Sequence, residues 1–136
     1  MTTDKLKQII GCIFLASHFL FVIGIFVLKA FGIYDEATSD IALIVLAPLL
    51  VHFIVRIIKD FRLHKYKTTL GRPTNSIFAF FSILFPSIFL GLIALALAKQ
   101  AFEPDPLETF AGHICASDTF IGVYMGGFLK DLFPGI

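Results

Sequence analysis

Charged residues are scarce in this sequence. Only 15% of its 136 residues are Asp, Glu, Lys or Arg, whereas 57% are apolar, and the mean hydropathy is +0.89. Soluble globular domains carry about 25% charged residues, so these charges are too few to cover the surface of a soluble domain of this length. The composition therefore excludes disorder and coiled coils and predicts a membrane protein with lipid around much of its surface.

Cysteines are also few. Cys12 and Cys115 each lie within an apolar run and form no CxxC pair, so we interpret both as packing residues rather than as disulfide or metal ligands. The formal net charge is only +1, which gives no field that would attract nucleic acid. We therefore expect neither a bound metal nor a nucleic-acid partner.

The usual catalytic and phosphate-binding motifs are absent. The sequence contains no GxGxxG, GxxxxGKS/T, HExxH or GxSxG segment, each of which would indicate a cofactor, phosphate, zinc or acyl-enzyme site. The longest stretch between the apolar runs described next covers only residues 59–76, which is too short for a soluble catalytic domain. We predict that the protein is not an enzyme and requires no cofactor.

Three long apolar runs predict membrane-spanning helices. Residues 9–28, 41–58 and 77–98 are 20, 18 and 22 residues long and together contain one arginine as their only formal charge. About 20 residues at 1.5 Å each cross the hydrocarbon core of a bilayer, and continuous apolar runs favour helices over barrel strands. Pro48 and Pro86 fall inside these runs, where a helix bundle tolerates a proline as a kink.

Residues 109–129 form a fourth, more polar candidate span. This stretch contains His113, Asp118 and four glycines, and a central Asp costs about 2.5 to 3.5 kcal/mol on insertion scales. The alternative is an interfacial helix or a re-entrant hairpin. On a helical wheel, a small or polar stripe opposes a bulky one, as in a helix that packs against protein by one face and meets lipid with the other. The small stripe is Ala111, Cys115, Asp118, Gly122 and Gly126, and the bulky stripe is Phe110, Ile114, Ile121, Tyr124 and Phe128.

The distribution of basic residues predicts the topology. With four spans, nine of the eleven Lys and Arg residues fall on one side, which the positive-inside rule places in the cytoplasm. We therefore predict an all-α integral membrane protein: a four-helix bundle that forms a single transmembrane domain over residues 1–136, with both termini cytoplasmic in a bacterial inner membrane.

The connection 59–76 is then a basic cytoplasmic loop. It is either the topology signal alone or a contact for lipid headgroups or a cytoplasmic protein partner. The basic residues at and within this connection are Arg56, Lys59, Arg62, Lys65, Lys67 and Arg72.

Small residues at helix-packing spacing predict close helix contacts. Gly122 and Gly126 form a GxxxG, and Gly91 lies in a stripe with Ser87 and Ala94 on the third run. Such stripes let helix backbones approach closely, which gains dispersion energy where no hydrophobic effect operates. The stripes do not distinguish a contact within one chain from a contact between copies. We expect at least one of the two stripes to pack between copies.

Three ionisable residues fall at membrane depth: His18, His52 and Asp118. Such residues usually face the bundle interior or an aqueous cavity. Three interpretations stay open at this point. The residues line a proton or ion path in an oligomer, His18 and His52 ligate a haem b, or the side chains only lock helix packing.

These features together predict a homo-oligomeric channel or a membrane sensor that uses the buried polar residues. Its partners are the lipid bilayer and further copies of the chain. The alternative is a membrane anchor or accessory subunit of a larger complex, with or without haem b.

Overall fold

The computed structural model describes residues 2–64 and 75–127, and within them it is all-helical, without a β-strand. The four helices are α1 (Thr3–Ala30), α2 (Glu36–His64), α3 (Ser76–Phe102) and α4 (Leu107–Gly127). Each coincides with one of the four predicted runs, and the first three extend beyond the apolar run at both ends. The all-α prediction is therefore confirmed.

A five-residue turn connects α1 to α2. Gly32 has a φ of 70°, a left-handed conformation that glycine adopts without a steric cost. The amide of Gly32 donates to the carbonyl of Lys29 (3.0 Å), and the amide of Ile33 donates to that of Leu28 (2.9 Å). These two bonds form a Schellman motif, which ends α1 and reverses the chain.

Asp35 is the N-cap of α2. Its Oδ1 accepts a hydrogen bond from the backbone amide of Thr38 at 2.7 Å, which satisfies one of the amides left without a partner in the first turn of the helix. Hydrogen bonds from the side chain and backbone of Thr38 hold the pKa of the Asp35 carboxyl below its usual value. The carboxylate, rather than the carboxylic acid, is therefore the form that caps α2.

A two-sided amide contact shapes the turn from α3 to α4. The side chain of Gln100 donates to the carbonyl of Asp105 (3.2 Å) and accepts from its amide (2.9 Å). The Asp105 carboxylate also lies 2.6 Å from the Lys99 ammonium. The Pro106 carbonyl then accepts from the amide of Phe110 as α4 begins. Side chains of α3 thus fix residues 103–106 in one conformation.

The four helices pack as a square. α1 contacts α2 and α3, and α4 contacts the same two helices, so α1 and α4 lie on a diagonal. The hydroxyl of Tyr34, just after α1, donates to the carbonyl of Leu97 near the end of α3. The turns 31–35 and 103–106 therefore lie at the same end of the bundle, which we call the double-turn end. It follows that α1 and α3 run parallel, with α2 and α4 running in the opposite direction.

Large apolar side chains fill the centre of the square. Phe14 of α1, Leu46 of α2, Ile93 of α3 and Ile114 of α4 are each 0 to 1% exposed, and they belong to one continuous core. Every helix contributes to this core, so the four helices bury their contacts around one axis. Among the described residues, the axis of a single chain is a packed core rather than a pore.

The outer surface of the bundle is also apolar. α1 and α3 are long and apolar enough to cross a membrane, and only 28% of the most apolar 18-residue window of each is buried. A core helix of a soluble protein would bury most of such a window. Within the described residues α2 and α4 do not meet the same test of length and composition. Two apolar helices with exposed apolar faces are compatible with a membrane protein.

α4 buries the stripe that is bulky and exposes much of the stripe that is small. Phe110, Ile114 and Ile121 are at most 1% exposed, whereas Cys115 is exposed. The sequence predicts that one face of α4 packs against protein, and within one chain that face is the bulky stripe together with Asp118, which is buried. The bulky side chains of α4 fill the core where α4 contacts α2 and α3.

Tyr124 and Pro86 form a lock between α3 and α4. Pro86 has no amide hydrogen, so it cannot donate to the carbonyl of Ser82 four residues earlier in α3. The Tyr124 hydroxyl of α4 donates to that carbonyl at 2.6 Å. A side chain from the neighbouring helix thus satisfies the one backbone acceptor of α3 that the proline leaves without its helical partner.

This lock gives a double-mutant prediction. Tyr124→Phe removes the donor to a buried carbonyl and should lower the free energy of unfolding by about 1 to 3 kcal/mol. In a Pro86→Ala background the residue 86 amide can bond the Ser82 carbonyl, so Tyr124→Phe should cost much less there. Unfolding of the four proteins in detergent micelles measures the coupling. An equal cost of Tyr124→Phe in both backgrounds would show that the tyrosine does not act through the freed carbonyl.

The Asp35 cap gives a pH prediction. Because the folded-state pKa of Asp35 is lowered, its stabilisation is present at neutral pH and is lost as the pH falls through that folded-state pKa. Asp35→Ala should lower the thermal midpoint at pH 7, and Asp35→Asn, which keeps a capping oxygen, should lower it less. As the pH falls below the folded-state pKa of Asp35, the thermal midpoint of the wild-type protein should approach that of the Ala variant. Circular dichroism melts check this, and a pH-independent gap between wild type and Asp35→Ala would contradict it.

Candidate functional site

Two of the three predicted intramembrane residues lie inside the bundle. His18 of α1 is 2% exposed, and Asp118 of α4 is 6% exposed. His52 lies in α2, but its side chain is outside the described residues. The site can therefore be built from His18 and Asp118.

His18 and Asp118 lie at the same depth. His18 is twelve residues before the end of α1, about 18 Å from the double-turn end at 1.5 Å per residue. Asp118 is eleven residues after the start of α4, about 17 Å from the same end. The two residues thus share one level near the middle of the bundle, on helices that face each other across its diagonal.

The hydrogen bond of His18 fixes its tautomer. Its Nδ1 lies 2.9 Å from the carbonyl oxygen of Phe14, and a carbonyl only accepts, so Nδ1 carries the hydrogen. In the neutral ring, Nε2 then holds a lone pair, and this atom is buried without a hydrogen-bond partner. The rings of Phe14 and Phe21 flank the imidazole with centroids at 6.0 and 6.1 Å. Nε2 is thus a free acceptor in an aromatic environment.

Asp118 presents a second free acceptor. Its Oδ1 is buried without a hydrogen-bond partner, and an ionised carboxylate can only accept. Buried polar atoms without partners are rare and costly. Each of these two acceptors lacks the donor that a hydrogen bond needs, and a proton or a water molecule is the kind of group that supplies one.

Ser82 carries a third buried oxygen without a partner. It lies twenty residues before the end of α3, about 30 Å from the double-turn end, and therefore far from the level of His18 and Asp118. Its carbonyl belongs to the Tyr124–Pro86 lock. We therefore assign Ser82 to that lock and not to the candidate site.

The predicted basic surface is described only in part. Lys59 is exposed near the end of α2. Arg56 and Arg62 lie on the same helix, but their side chains are outside the described residues, as are Lys65, Lys67 and Arg72 entirely. A headgroup or partner contact at this surface stays a prediction.

At Gly91 and Gly122 the predicted small-residue contacts do not form within the described part of one chain. Gly91 is exposed and Gly122 is half-buried, and a Cβ atom added at either would meet nothing within 4 Å. The surroundings of Gly126 lie outside the described residues. A contact between copies at these glycines stays a prediction.

No metal centre is found in the part of the chain that the structure describes. Its His, Cys, Asp and Glu residues form no group of three or more that could hold an ion, and Cys12 and Cys115 are both free and exposed. The cysteines therefore make no disulfide. Their exposure differs from the packing role inferred from the sequence.

Sequence reasoning did not identify the two tyrosines that cross between elements. The Tyr34–Leu97 and Tyr124–Ser82 bonds join residues 63 and 42 positions apart. The one local signal is Pro86, because a proline inside a helix always leaves a carbonyl four residues earlier in need of a donor.

Comparison with known proteins finds no matching family model, no matching curated protein and no matching solved structure.

Proposed function

We propose that this chain is a self-associating membrane sensor that spans the bilayer four times and responds to protonation at His18 and Asp118. The single observation that carries the proposal is the pair of buried acceptors, His18 Nε2 and Asp118 Oδ1, at one level of the bundle without partners. A buried acceptor without a partner lowers the stability of the fold unless a bound proton or water molecule supplies the missing hydrogen bond.

The packing of the helices supports four spans. α1 and α3 carry the apolar, exposed windows, and α2 and α4 pack beside them in the opposite direction. The 29 residues of α2 and the 21 residues of α4 correspond to about 44 and 32 Å, enough for a hydrocarbon core of about 30 Å. α2 also exposes one apolar face, made of Ile44, Val51, Val55 and Ile58.

The charge distribution supports the orientation. The double-turn end carries Asp35, Glu36 and Asp105 with only two basic residues, Lys29 and Lys99. Towards the opposite end lie Lys5 and Lys7 of α1 and Arg56, Lys59 and Arg62 of α2. The other four basic residues follow α2 or α4 in the sequence, and this distribution favours the cytoplasmic side for both termini.

Topology is tested with reporter fusions. Fusions after Lys130 and after Thr69 should both report the cytoplasm, and a fusion after Glu103 should report the opposite side. The fusion after Glu103, in the turn between α3 and α4, is the control that shows that the reporter can also signal the extracytoplasmic side. An extracytoplasmic signal after Lys130 would show that α4 does not cross and would leave three spans.

Burial within one chain favours a sensor over a channel. A pore between copies would place its polar residues on an outer face, whereas His18 and Asp118 lie among core side chains such as Phe14 and Ile114. A pore through one chain would need space that these side chains fill. A change in the packing between helices is therefore the more direct result of a proton arriving at this level.

Protonation changes what the two groups can do. With both groups unprotonated, α1 and α4 each hold an acceptor without a donor. A proton on either group creates a donor for the other or for a bridging water, which removes one unsatisfied atom from the core. We expect the protonated bundle to be the more tightly packed state.

Hydrogen exchange tests the sensor. The wild-type protein in lipid nanodiscs should show greater protection of residues 14–22 and 114–122 at pH 5 than at pH 8, after correction for the intrinsic exchange rate. His18→Leu and Asp118→Asn should each abolish this difference. His113→Leu removes an exposed imidazole from α4 and is the matched control, which should keep it.

Two results would remove the sensor from consideration. One is a wild-type protein whose protection at these residues is the same at both pH values. The other is a pH-dependent difference that persists in both interior variants.

A haem-binding anchor subunit is the second candidate. A histidine that donates Nδ1–H to a backbone carbonyl and leaves Nε2 free has the arrangement of a metal-ligating imidazole, and His18 has it. The enclosure of His18 by Phe14 and Phe21 disfavours this candidate, because a haem would have to displace those rings. A Soret band that is lost in His18→Leu and His52→Leu would favour the anchor over the sensor.

A further inference from the structure

A groove on the outer face of the bundle follows the contact between α3 and α4. Its volume is about 370 Å³. Lys99 and His113 line one end, towards the double-turn end, and Leu92 and other apolar side chains line its length. At the far end the rings of Phe89 and Phe120 stack with centroids 5.4 Å apart and planes at 10°. We call this feature the α3–α4 groove.

The length of the groove matches one leaflet of a bilayer. Lys99 is three residues before the end of α3 and Phe89 is thirteen before it, so they lie about 5 and 20 Å from that end. The difference of about 15 Å is half of a hydrocarbon core of about 30 Å. Under the proposed topology, the polar end of the groove lies at the depth of the headgroups and the aromatic end lies near the midplane.

The polar end of the groove lies close to charges of both signs. The Lys99 ammonium lies 2.6 Å from the Asp105 carboxylate, but its side chain is 49% exposed and it has three donors. Lys99 is thus a cation with free donors at the groove, Asp105 is the carboxylate beside it, and Glu103 and Glu108 lie further along the chain towards the double-turn end.

This combination of charges is complementary to a zwitterionic headgroup. A phosphate at the level of Lys99 would gain a charge-assisted hydrogen bond, and a primary ammonium beyond it would meet the carboxylates. A headgroup with a phosphate and no ammonium would bring its negative charge to these carboxylates without compensation. The larger cavity between α1 and α3, about 530 Å³, is lined only by apolar residues and has no group with which to select a headgroup.

We propose that the α3–α4 groove binds one phosphatidylethanolamine molecule of the leaflet at the double-turn end. Its phosphate contacts Lys99, its ammonium faces the carboxylates, and one acyl chain lies along the groove down to the Phe89–Phe120 stack. This proposal rests on the membrane-spanning part of the proposed function and is independent of the sensor site.

Lipid retention tests the proposal. The full chain is reconstituted with equal amounts of phosphatidylethanolamine and phosphatidylglycerol, extracted into mild detergent and examined by native mass spectrometry. We expect one retained phosphatidylethanolamine per chain. Lys99→Gln should reduce its retention about tenfold, the equivalent of one charge-assisted hydrogen bond of about 1.4 kcal/mol.

Two further variants make the test specific. Ala116→Phe fills the groove from an exposed position on α4 and should abolish retention without disturbing the core. This variant leaves the Lys99–Asp105 pair intact, so its effect cannot come from a changed turn. Lys29→Gln removes the other basic residue of the double-turn end, which does not line the groove, and should retain lipid as the wild type does.

Three results would overturn the proposal: equal retention of both lipids by the wild type, wild-type retention by both Lys99→Gln and Ala116→Phe, or an equal loss in Lys29→Gln. None of these results bears on the reporter fusions or on the exchange measurements, so the failure of this proposal is distinguishable from the failure of the membrane topology or of the sensor.

Discussion

The need to satisfy backbone hydrogen bonds in an apolar interior is the constraint on which the rest of this structure depends. Helices meet it within themselves everywhere except where a proline interrupts the ladder or a helix ends. At Pro86 the missing bond is replaced from α4 by Tyr124. Tyr34 adds a bond from the first turn to the Leu97 carbonyl of α3. Tyr124 thus meets a backbone requirement of α3, and both tyrosines hold separate elements together.

Against that background, His18 and Asp118 are exceptions. Turns and helix ends are supplied with partners by side chains such as Asp35 and Gln100, yet two ionisable groups in the middle of the bundle each keep an acceptor without a donor. Natural sequences tolerate a local cost of this kind mainly where it serves a function. This contrast, more than the mere presence of a histidine at depth, is what makes the pair a candidate site.

Hydropathy was sufficient to locate α1, α2 and α3 because each apolar run has the length of a span and almost no charge. The more polar α4 was located by its length and by its helical-wheel pattern. Hydropathy was not sufficient to orient the helices. For α4 the wheel separates small from bulky residues, but the choice of the inner face depends on the gap left by α2 and α3, and Phe110 and Ile114 fill it. In lipid, bulky apolar residues are equally well solvated on either face, so no sequence rule decides between the faces.

The candidate site was predicted in part for a related reason. Depth along a helix can be counted from the sequence, which identified His18 and Asp118 together. Their tautomer, their missing partners and their diagonal placement are properties of the packed bundle. The two tyrosine contacts were not predicted because they join positions that are distant in the sequence. Pro86 indicates only that the Ser82 carbonyl needs a donor, and not which residue supplies it.

The placement of the two turns has a mechanical consequence. At one end of the square, α1 is joined to α2 and α3 to α4 by short turns that are held by hydrogen bonds, and Tyr34 connects the first of these turns to α3. The Tyr124–Ser82 bond joins α3 to α4 a second time, about 30 Å from that end, whereas α1 and α2 are joined by their turn. A change in spacing at the level of His18 and Asp118 should therefore move the far ends of α1 and α2 more than those of α3 and α4. Under the proposed topology the far ends of α1 and α2 lie in the cytoplasm, where a displacement is accessible to other molecules of the cell.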